Sequence, residues 1–379
     1  MRILIISWFF PPANTVAAVR LGGVACHLLN TGQEVRVITA RDIPAQQTLA
    51  NMVNEGRVHR TTWRQPLAWY RQLRGKIAHQ PNRAGRADHT NWPPTMHVGS
   101  SRRNRPLWKA LLRDQLFFPD KSSGWITPAV REGCRVCDGW QPDIVFASGP
   151  PFSTLVAAYN IARHAELPLV CEFRDRWWDD PYYPPTLPCT WRQRLLEWRI
   201  ATYARGLTTV SEPWAETYRT RYRKPVAVVY NGFDGAVPPK GGHECAAAPA
   251  AFPGNTLNVL YTGGIYPGRR DPRPLFQALD RNSDLRNRVR IWFYGTAEWH
   301  VRPLADECGV GHCVHLEPAV AHDTAIQLQQ RADILLLMQW NDPREQGNVP
   351  GKFFEYLGAG RPILLLGLHG GVPDGILRQ

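Results

Sequence analysis

At 379 residues the chain is longer than one ordinary hydrophobic core serves, so two domains are expected. A hydrophobic fraction of 44% with 20% charged residues excludes a disordered or fibrous chain, and no apolar run reaches the roughly 20 residues needed to span a bilayer. The net charge of +13 is concentrated, because between Arg57 and Arg131 fifteen Lys/Arg face three Asp, a local +12.

The opening MRILIISWFF carries one basic residue and no small-residue cleavage site, and polar helix-forming sequence follows at once. RILIIS (2–7) therefore reads as a first strand and not as a signal peptide. Positions 17–30 place Leu21, Val24, Ala25 and Leu28 on one helical face, Gly32 stops the helix, and EVRVIT (34–39) is the next strand. This βαβ unit opens an α/β domain with a parallel sheet. The basic segment then interrupts it. There Trp63, Trp69, Tyr70, Trp92, Trp108, Phe117, Phe118 and Trp125 are interleaved with the charges. Such a mixture suits an anionic membrane surface or base stacking, and equally a solvated insertion with a few buried tryptophans.

The rhythm returns with strands at 143–149, 167–173 and 206–211 and helices at 153–165 and 191–204. AVVYNGFD (227–234) leads into a Gly/Pro/Ala-rich stretch, 235–254, the clearest linker-like segment in the chain. Beyond it, strands at 257–264, 288–295, 313–318, 332–338 and 362–367 alternate with helices at 273–279, 302–308, 323–330 and 350–359. Two doubly wound α/β halves in tandem are expected, with a cleft between the carboxyl ends of their strands. Of the eight cysteines, only Cys134-x-x-Cys137 has redox or metal spacing. A zinc site would need Cys308/Cys313 with His312 and His315, and reduced thiols in a cytosolic protein fit the scattered pattern better.

Ligands of open α/β sheets bind at the loops leaving strand carboxyl ends, and four such loops are chemically rich. In SWFFPPANTVAAVR no dinucleotide fingerprint is present. Pro11 and Pro12 stiffen the loop, Asn14 or Thr15 can cap the next helix, and Arg20 lies about one turn in, a combination suited to an anionic group or simply a well-capped loop. In CEFRDRWWDDPYYPP, Arg174 and Asp175 follow a strand directly, as an ion pair or as a carboxylate for sugar hydroxyls or proton transfer. In YTGGIYPGRRDPRP, Gly263 and Gly264 allow close backbone approach while Arg269 and Arg270 arrive just before a helix, which together make an anion cradle. In GNVPGKFFEYLGAGRP, a helix start carries Lys352 and Glu355 at i, i+3 on one face, behind glycines that favour ligand approach; the alternative is a surface ion pair.

Together these motifs resemble, in order and over nearly the whole chain, the retaining glycosyltransferases of family 4. FFPP, GQEVRVIT (with Gln33 where the family has His), PDIVFASGPPFS, FRDRWW, TVSEPWAE, VVYNGFD, LYTGGIYPGRRDP and VPGKFFEYLGAGRPIL carry the likeness, and the third and fourth resemble the bacterial polysaccharide-biosynthesis branch. The resemblance implies an α/β GT-B fold of two Rossmann-like domains facing each other across a cleft. It implies an acceptor-binding domain at 1–211 holding the 57–131 insertion, and a sugar-nucleotide-binding domain at 212–379 with 235–254 as a loop. It implies hexosyl or N-acetylhexosaminyl transfer from a UDP- or GDP-linked donor, with no metal and no other cofactor. The acceptor would be a lipid-linked or membrane-proximal glycan; a soluble acceptor and a non-catalytic sugar-nucleotide binder are the alternatives. No nucleic-acid partner is expected, and the location would be cytoplasmic with peripheral contact to the inner face of an anionic plasma membrane.

Residue by residue, the resemblance implies that Arg270, Lys352 and Asp175 act in catalysis. Gly263, Gly264, Arg269, Glu317, Val320, Gly347, Asn348, Val349 and Glu355 would bind the donor, with Glu355 on the ribose and the base near 317–320. Pro12, Asn14, Arg20 and Arg174 would lie on the acceptor side. Two departures stand out. The first glutamate of the family's Glu-x7-Glu signature falls on Gly347, so backbone would replace a side chain there. The chain ends at Gln379, soon after PILLLG, which implies a GT-B fold lacking the usual C-terminal crossing helix.

Overall fold

The computed structural model describes residues 1–63, 107–182, 185–233 and 252–379. Most of the basic segment and nearly all of 235–254 thus lie outside the described residues. The chain forms two compact units that divide between Tyr230 and Asn231.

In the first unit the described strands are β1 (Arg2–Ile6), β2 (Glu34–Ala40), β3 (Val58–Thr61), β4 (Ile144–Gly149), β5 (Leu169–Phe173), β6 (Gly206–Thr209) and β7 (Val226–Val228). They form one parallel sheet in the order β3-β2-β1-β4-β5-β6-β7. The described helices are α1 (Val16–Asn30), α2 (Leu107–Leu116), α3 (Ile126–Trp140), α4 (Ser153–His164), α5 (Leu187–Tyr203) and α6 (Glu212–Tyr222). Strands such as RILII are apolar throughout because both sheet faces are covered. One face packs Leu4, Ile6, Val145 and Ala147 against α3 and α4, and the other packs Ile3, Ile5, Val35 and Val37 against Leu21 and Ala25 of α1.

In the second unit β8 (Leu257–Thr262), β9 (Val289–Tyr294), β10 (Val314–Glu317), β11 (Ile334–Met338) and β12 (Ile363–Leu366) pair in parallel in the order β10-β9-β8-β11-β12. The helices are α7 (Arg273–Asp280), α8 (Ser283–Arg288), α9 (Glu298–Glu307), α10 (His322–Arg331), α11 (Gly351–Ala359) and α12 (Val372–Leu377). Two buried clusters, one around Tyr261, Phe276 and Phe293 and one around Leu260, Leu335 and Phe353, occupy the two sides of this sheet. Each unit is therefore a three-layer Rossmann-like sandwich. Strand order reverses at β1/β4 and at β8/β11, and these switch points set neighbouring loops side by side.

The expected elements appear with small shifts at their ends, but two features differ from the sequence reading. The first unit runs on past Ser211, because α6 and β7 complete its sheet, with β7 paired to β6 and Val229 N donating to Thr209 O at 2.8 Å. The basic segment contains β3, α2 and the start of α3, none of which was expected. One of its tryptophans is a core residue, as in an insertion with buried tryptophans: Trp125 is fully buried, donates Nε1 to Thr61 Oγ1 at 2.7 Å and packs edge-on to Trp8, against which the partly buried Trp63 also packs. Trp69, Tyr70 and Trp92 lie outside the described residues. No helix among the described residues is long and apolar enough to cross a membrane.

Candidate functional site

β8 and β11 are neighbours, so the loops leaving their carboxyl ends meet, and most of the basic site residues lie there. β8 ends at Thr262, and Gly263 follows with φ +98°, a conformation that an L side chain rarely adopts. A Cβ there would stand 3.2 Å from Lys352 Nζ, so the missing side chain leaves room for the ammonium group. Tyr266 to Arg269 then form a tight turn in which Arg269 N donates to Tyr266 O at 3.1 Å, with Pro267 second and Gly268 third at φ +73°. The turn presents Arg269 and Arg270 together. Arg270 lies 4.5 Å from the Tyr266 ring and Arg269 lies 4.6 Å from the ring of Trp340, in the loop after β11.

Lys352, second residue of α11, reaches the end of β8. Its Nζ donates to Thr262 O at 2.5 Å and sits 3.8 Å from the Tyr261 ring centroid. Burial pushes the Lys352 ammonium below its ordinary range, against the pull of Tyr261. Burial also opposes ionisation of Tyr261, but the charges of Lys352 and Arg270 outweigh it and hold the phenol below its usual value. Pro350 precedes α11 and offers no capping side chain, so the partial positive charge of the helix start adds to that of the lysine. The result is a cluster of cationic groups at one strand end.

One turn along α11, Glu355 accepts from Gln329 Nε2 at 3.3 Å and lies 3.3 Å from His322 Nε2. Gln329 is fully buried and also donates to Thr262 Oγ1 at 3.1 Å, while the Tyr356 hydroxyl lies 3.2 Å from the Thr262 amide. Burial raises the Glu355 carboxyl, and the hydrogen bonds from His322 and Gln329 with the nearby charges bring it below its ordinary value. Thr262 thus links the lysine to the carboxylate.

The loop before α11 shows where the acidic side chain of this region went. Glu345, two positions before Gly347, is buried and turned inward, accepting from Asn348 Nδ2 at 2.8 Å. Asn348 O accepts from Gln339 Nε2 at 2.8 Å, and Val349 is packed in the core. Gly347 itself is buried. Of the residues expected on the donor, the structure gathers Gly263, Gly264, Arg269, Arg270, Lys352 and Glu355 at the β8 end. Asn348 and Val349 support the neighbouring loop with their side chains. Glu317 contributes its carbonyl to Gly295 N at 3.0 Å, and Val320 is exposed in the following loop.

In the first unit Arg20 and Arg174 meet at the β1/β4 switch, but through a residue not singled out in the sequence. Glu172, a buried acid inside strand β5, accepts from Arg20 Nη2 at 2.6 Å and from Ser148 Oγ at 2.5 Å. Arg174 donates Nε to Ser148 Oγ at 2.8 Å and also bonds Pro150 O. Arg20 further donates to Val229 O and Tyr230 O at 2.7 and 2.8 Å, tying the end of the unit to α1. Both arginines are thus held in a structural network, while Asp175 is exposed beyond it. Thr15, not Asn14, caps α1 by accepting from Ala18 N at 3.1 Å; Asn14 bonds Thr48 Oγ1 at 2.9 Å. Pro12 lines a shallow cavity with Phe10, Arg41, Asp42 and Arg60.

Sequence reasoning did not single out Tyr261, His322, Gln329, Trp340 or Glu172. Three of these had a signal: His322 and Gln329 stand seven apart on one helical face, and Glu172 is a lone acid in an apolar strand. Of the suspected metal residues, Cys137 is mostly buried with its thiol pushed up to about 11 by that burial, and Cys313 Sγ contacts Arg286 O at 3.2 Å. His315 stacks on Trp292 at 4.1 Å. Among the described residues no group of three His, Cys, Asp or Glu side chains is placed to hold a metal ion.

A family model described as "Glycosyl transferase 4-like domain" matches residues 17–232, more than half of the chain. A search of curated proteins found no match. Similar solved structures include sucrose-phosphate synthase from Thermosynechococcus elongatus, at 12% identity over 98% of this chain and 82% of that one, with TM-score 0.56. WaaG, a glycosyltransferase involved in lipopolysaccharide biosynthesis, matches at 13% identity over 100% and 84%, with TM-score 0.54. HepE from Anabaena, solved in complex with UDP, matches at 14% identity over 100% and 89%, with TM-score 0.53. At these identities the likeness speaks for the fold alone, which is GT-B. The family match adds the enzyme class: the chain belongs to the glycosyl transferase 4-like family and is a glycosyltransferase.

Proposed function

We propose that the protein is a retaining glycosyltransferase that moves a sugar from a UDP- or GDP-linked donor to a lipid-linked or membrane-proximal glycan in surface polysaccharide assembly. The observation that carries this reading is Lys352 Nζ at the end of β8, beside the side-chain-free Gly263 and near Arg269 and Arg270. A diphosphate fits that site: the ammonium, the guanidinium groups and the start of α11 all favour negative charge. Glu355, held by Gln329 and His322, keeps lone pairs for ribose hydroxyls. As the bond from the anomeric carbon to the diphosphate breaks, charge grows on the leaving oxygen, and these fixed cations stabilise it without a metal. The same fold in a UDP complex of HepE supports a nucleotide donor.

At Gly347 the chain has no side chain to offer the donor sugar, and that glycine is buried. The acceptor is assigned to the first unit, where Asp175 is exposed and the loop of Pro12 and Asn14 borders a cavity. The basic 57–131 segment supports a membrane-proximal acceptor and a place on the inner face of the plasma membrane.

The test is a panel of sugar nucleotides screened for thermal stabilisation. A donor present at 100 times its dissociation constant adds about 2.7 kcal/mol. Lys352→Ala and Glu355→Ala should each remove most of that gain. A best donor that stabilises both variants as well as the native protein overturns the site. Transfer to polyprenyl-diphosphate sugars, but not to soluble aglycones, is the expected acceptor result.

A further inference from the structure

We propose that His322 is the positioning residue for Glu355, holding its carboxylate ionised and oriented for the donor's ribose, so that nucleotide-sugar affinity follows the protonation of His322. This rests on the donor-site reading above and goes one step further into it. The two residues supporting Glu355 are unlike. Gln329 is fully buried and locked between Glu355 and Thr262, whereas the His322 side chain is 46% exposed and lies 3.3 Å from Glu355 Oε1. The histidine is therefore the adjustable support.

It is also the titratable one. His322 is the first residue of α10, where the positive end of the helix disfavours an imidazolium and Ala321 supplies no capping side chain. Glu355 reverses that preference: its hydrogen bond lifts the imidazole above its ordinary range, with burial opposing and Asp323, 3.8 Å away on the same helix, assisting. Lys352 faces the same carboxylate from α11. Protonated, His322 donates from Nε2 whatever the ring's other contacts; neutral, it does so in one tautomer only and brings no charge. Each Glu355 oxygen then keeps a further acceptor position, which matches two vicinal hydroxyls.

The sign follows. Affinity is highest below the raised His322 value and falls as pH rises through it. Lys352, lowered by burial, also loses charge as pH rises, so the native profile alone does not assign the change. Calorimetric titration with UDP-glucose and GDP-mannose from about pH 6 to about pH 9 supplies the test, because an esterified diphosphate has no ionisation of its own near neutrality. The native protein should lose about fivefold in affinity across the histidine transition, the difference between a charged and a neutral hydrogen bond. His322→Gln should bind more weakly at the acid end and lack that step. Combining it with Glu355→Gln should add nothing to Glu355→Gln alone, and thermal melts check that each variant folds. A His322→Gln profile parallel to the native one overturns the role of His322 and leaves the donor site standing. Failure of the native protein to bind either sugar nucleotide at any pH overturns the donor-site reading itself, and this inference with it.

Discussion

Gly263 is where one missing side chain matters most. Its φ of +98° and the 3.2 Å between a built Cβ and Lys352 Nζ mean that Gly263→Ala meets backbone strain and displaces the ammonium together. Strain of about 1–2 kcal/mol is expected as a lower melting temperature. Sugar-nucleotide affinity should fall as well, by more than the same change at Gly264, where a Cβ meets nothing within 4 Å. Equal losses of affinity at the two positions would show that Lys352 is not the group being moved. Lys352→Ala removes the charge outright and should weaken donor binding about 30-fold, corresponding to ~2 kcal/mol for a charge-assisted contact. At this scale the sequence spoke clearly wherever loop chemistry and charge coincided, as at Gly263, Arg270 and Lys352. It was silent on Tyr261 and Thr262, ordinary strand residues whose role comes only from the lysine that reaches them. It was ambiguous at Arg174, which feels the charge of the adjacent Asp175 but gives its hydrogen bonds to Ser148 and Pro150, reached from the neighbouring strand.

At the scale of elements, α3 and α4 pack so closely that Gly133 has no room for a side chain: a Cβ would lie 2.3 Å from Ile161 Cδ1. Gly133→Ala should destabilise by about 1–3 kcal/mol in chemical denaturation, and adding Ile161→Val should recover part of it. No recovery would mean that the backbone, not the isoleucine, takes up the strain. Helices α5 and α6 are joined by a buried carboxyl. Glu197 has no exposed surface and takes Trp178 Nε1 and Arg221 Nη1 at 3.2 and 2.9 Å, and burial raises it to about 7. A carboxyl raised on folding binds its proton more tightly in the native state, so this group lowers stability as pH rises from its unfolded range towards 7. Glu197→Gln should flatten the stability profile in that window; an unchanged slope there would exclude Glu197 as its source. The elements themselves were legible as alternating strand and helix periods. The exceptions have physical causes. α3 keeps helical spacing at Ala129, Gly133, Val136, Cys137 and Trp140, but it emerges from sequence dominated by charge. β7 has three residues, too few for any period, and what fixes it to the first unit is pairing with β6 and the reach of Arg20. That is why the boundary fell at Tyr230 and not at Ser211.

At the scale of the whole molecule the two Rossmann-like units carry very unequal charge. Of the net +13, +12 lies between Arg57 and Arg131, leaving +1 for all the other residues. A solubilising surface charge has no reason to be so uneven, whereas a surface meant for an anionic partner has. The described part of the segment is divided: Trp125 belongs to the core, while the Trp108 side of α2 is exposed. Attraction to a bilayer carrying acidic lipids is worth about 1 kcal/mol per Lys or Arg near the surface and decays within a Debye length, about 10 Å at 0.1 M salt and 3 Å at 1 M. The protein should therefore sediment with phosphatidylglycerol-containing vesicles at low salt and be released as salt approaches 1 M, while neutral phosphatidylcholine vesicles retain none at either salt. Replacing Arg102, Arg103 and Arg105 with glutamine should reduce the bound fraction without changing sugar-nucleotide affinity, since none of them belongs to the donor-site cations Arg269, Arg270 and Lys352. Binding that ignores both lipid charge and salt would place the attraction in the tryptophans instead. Absence of binding at low salt would remove the membrane from the function proposed here and leave a glycosyltransferase with a soluble acceptor.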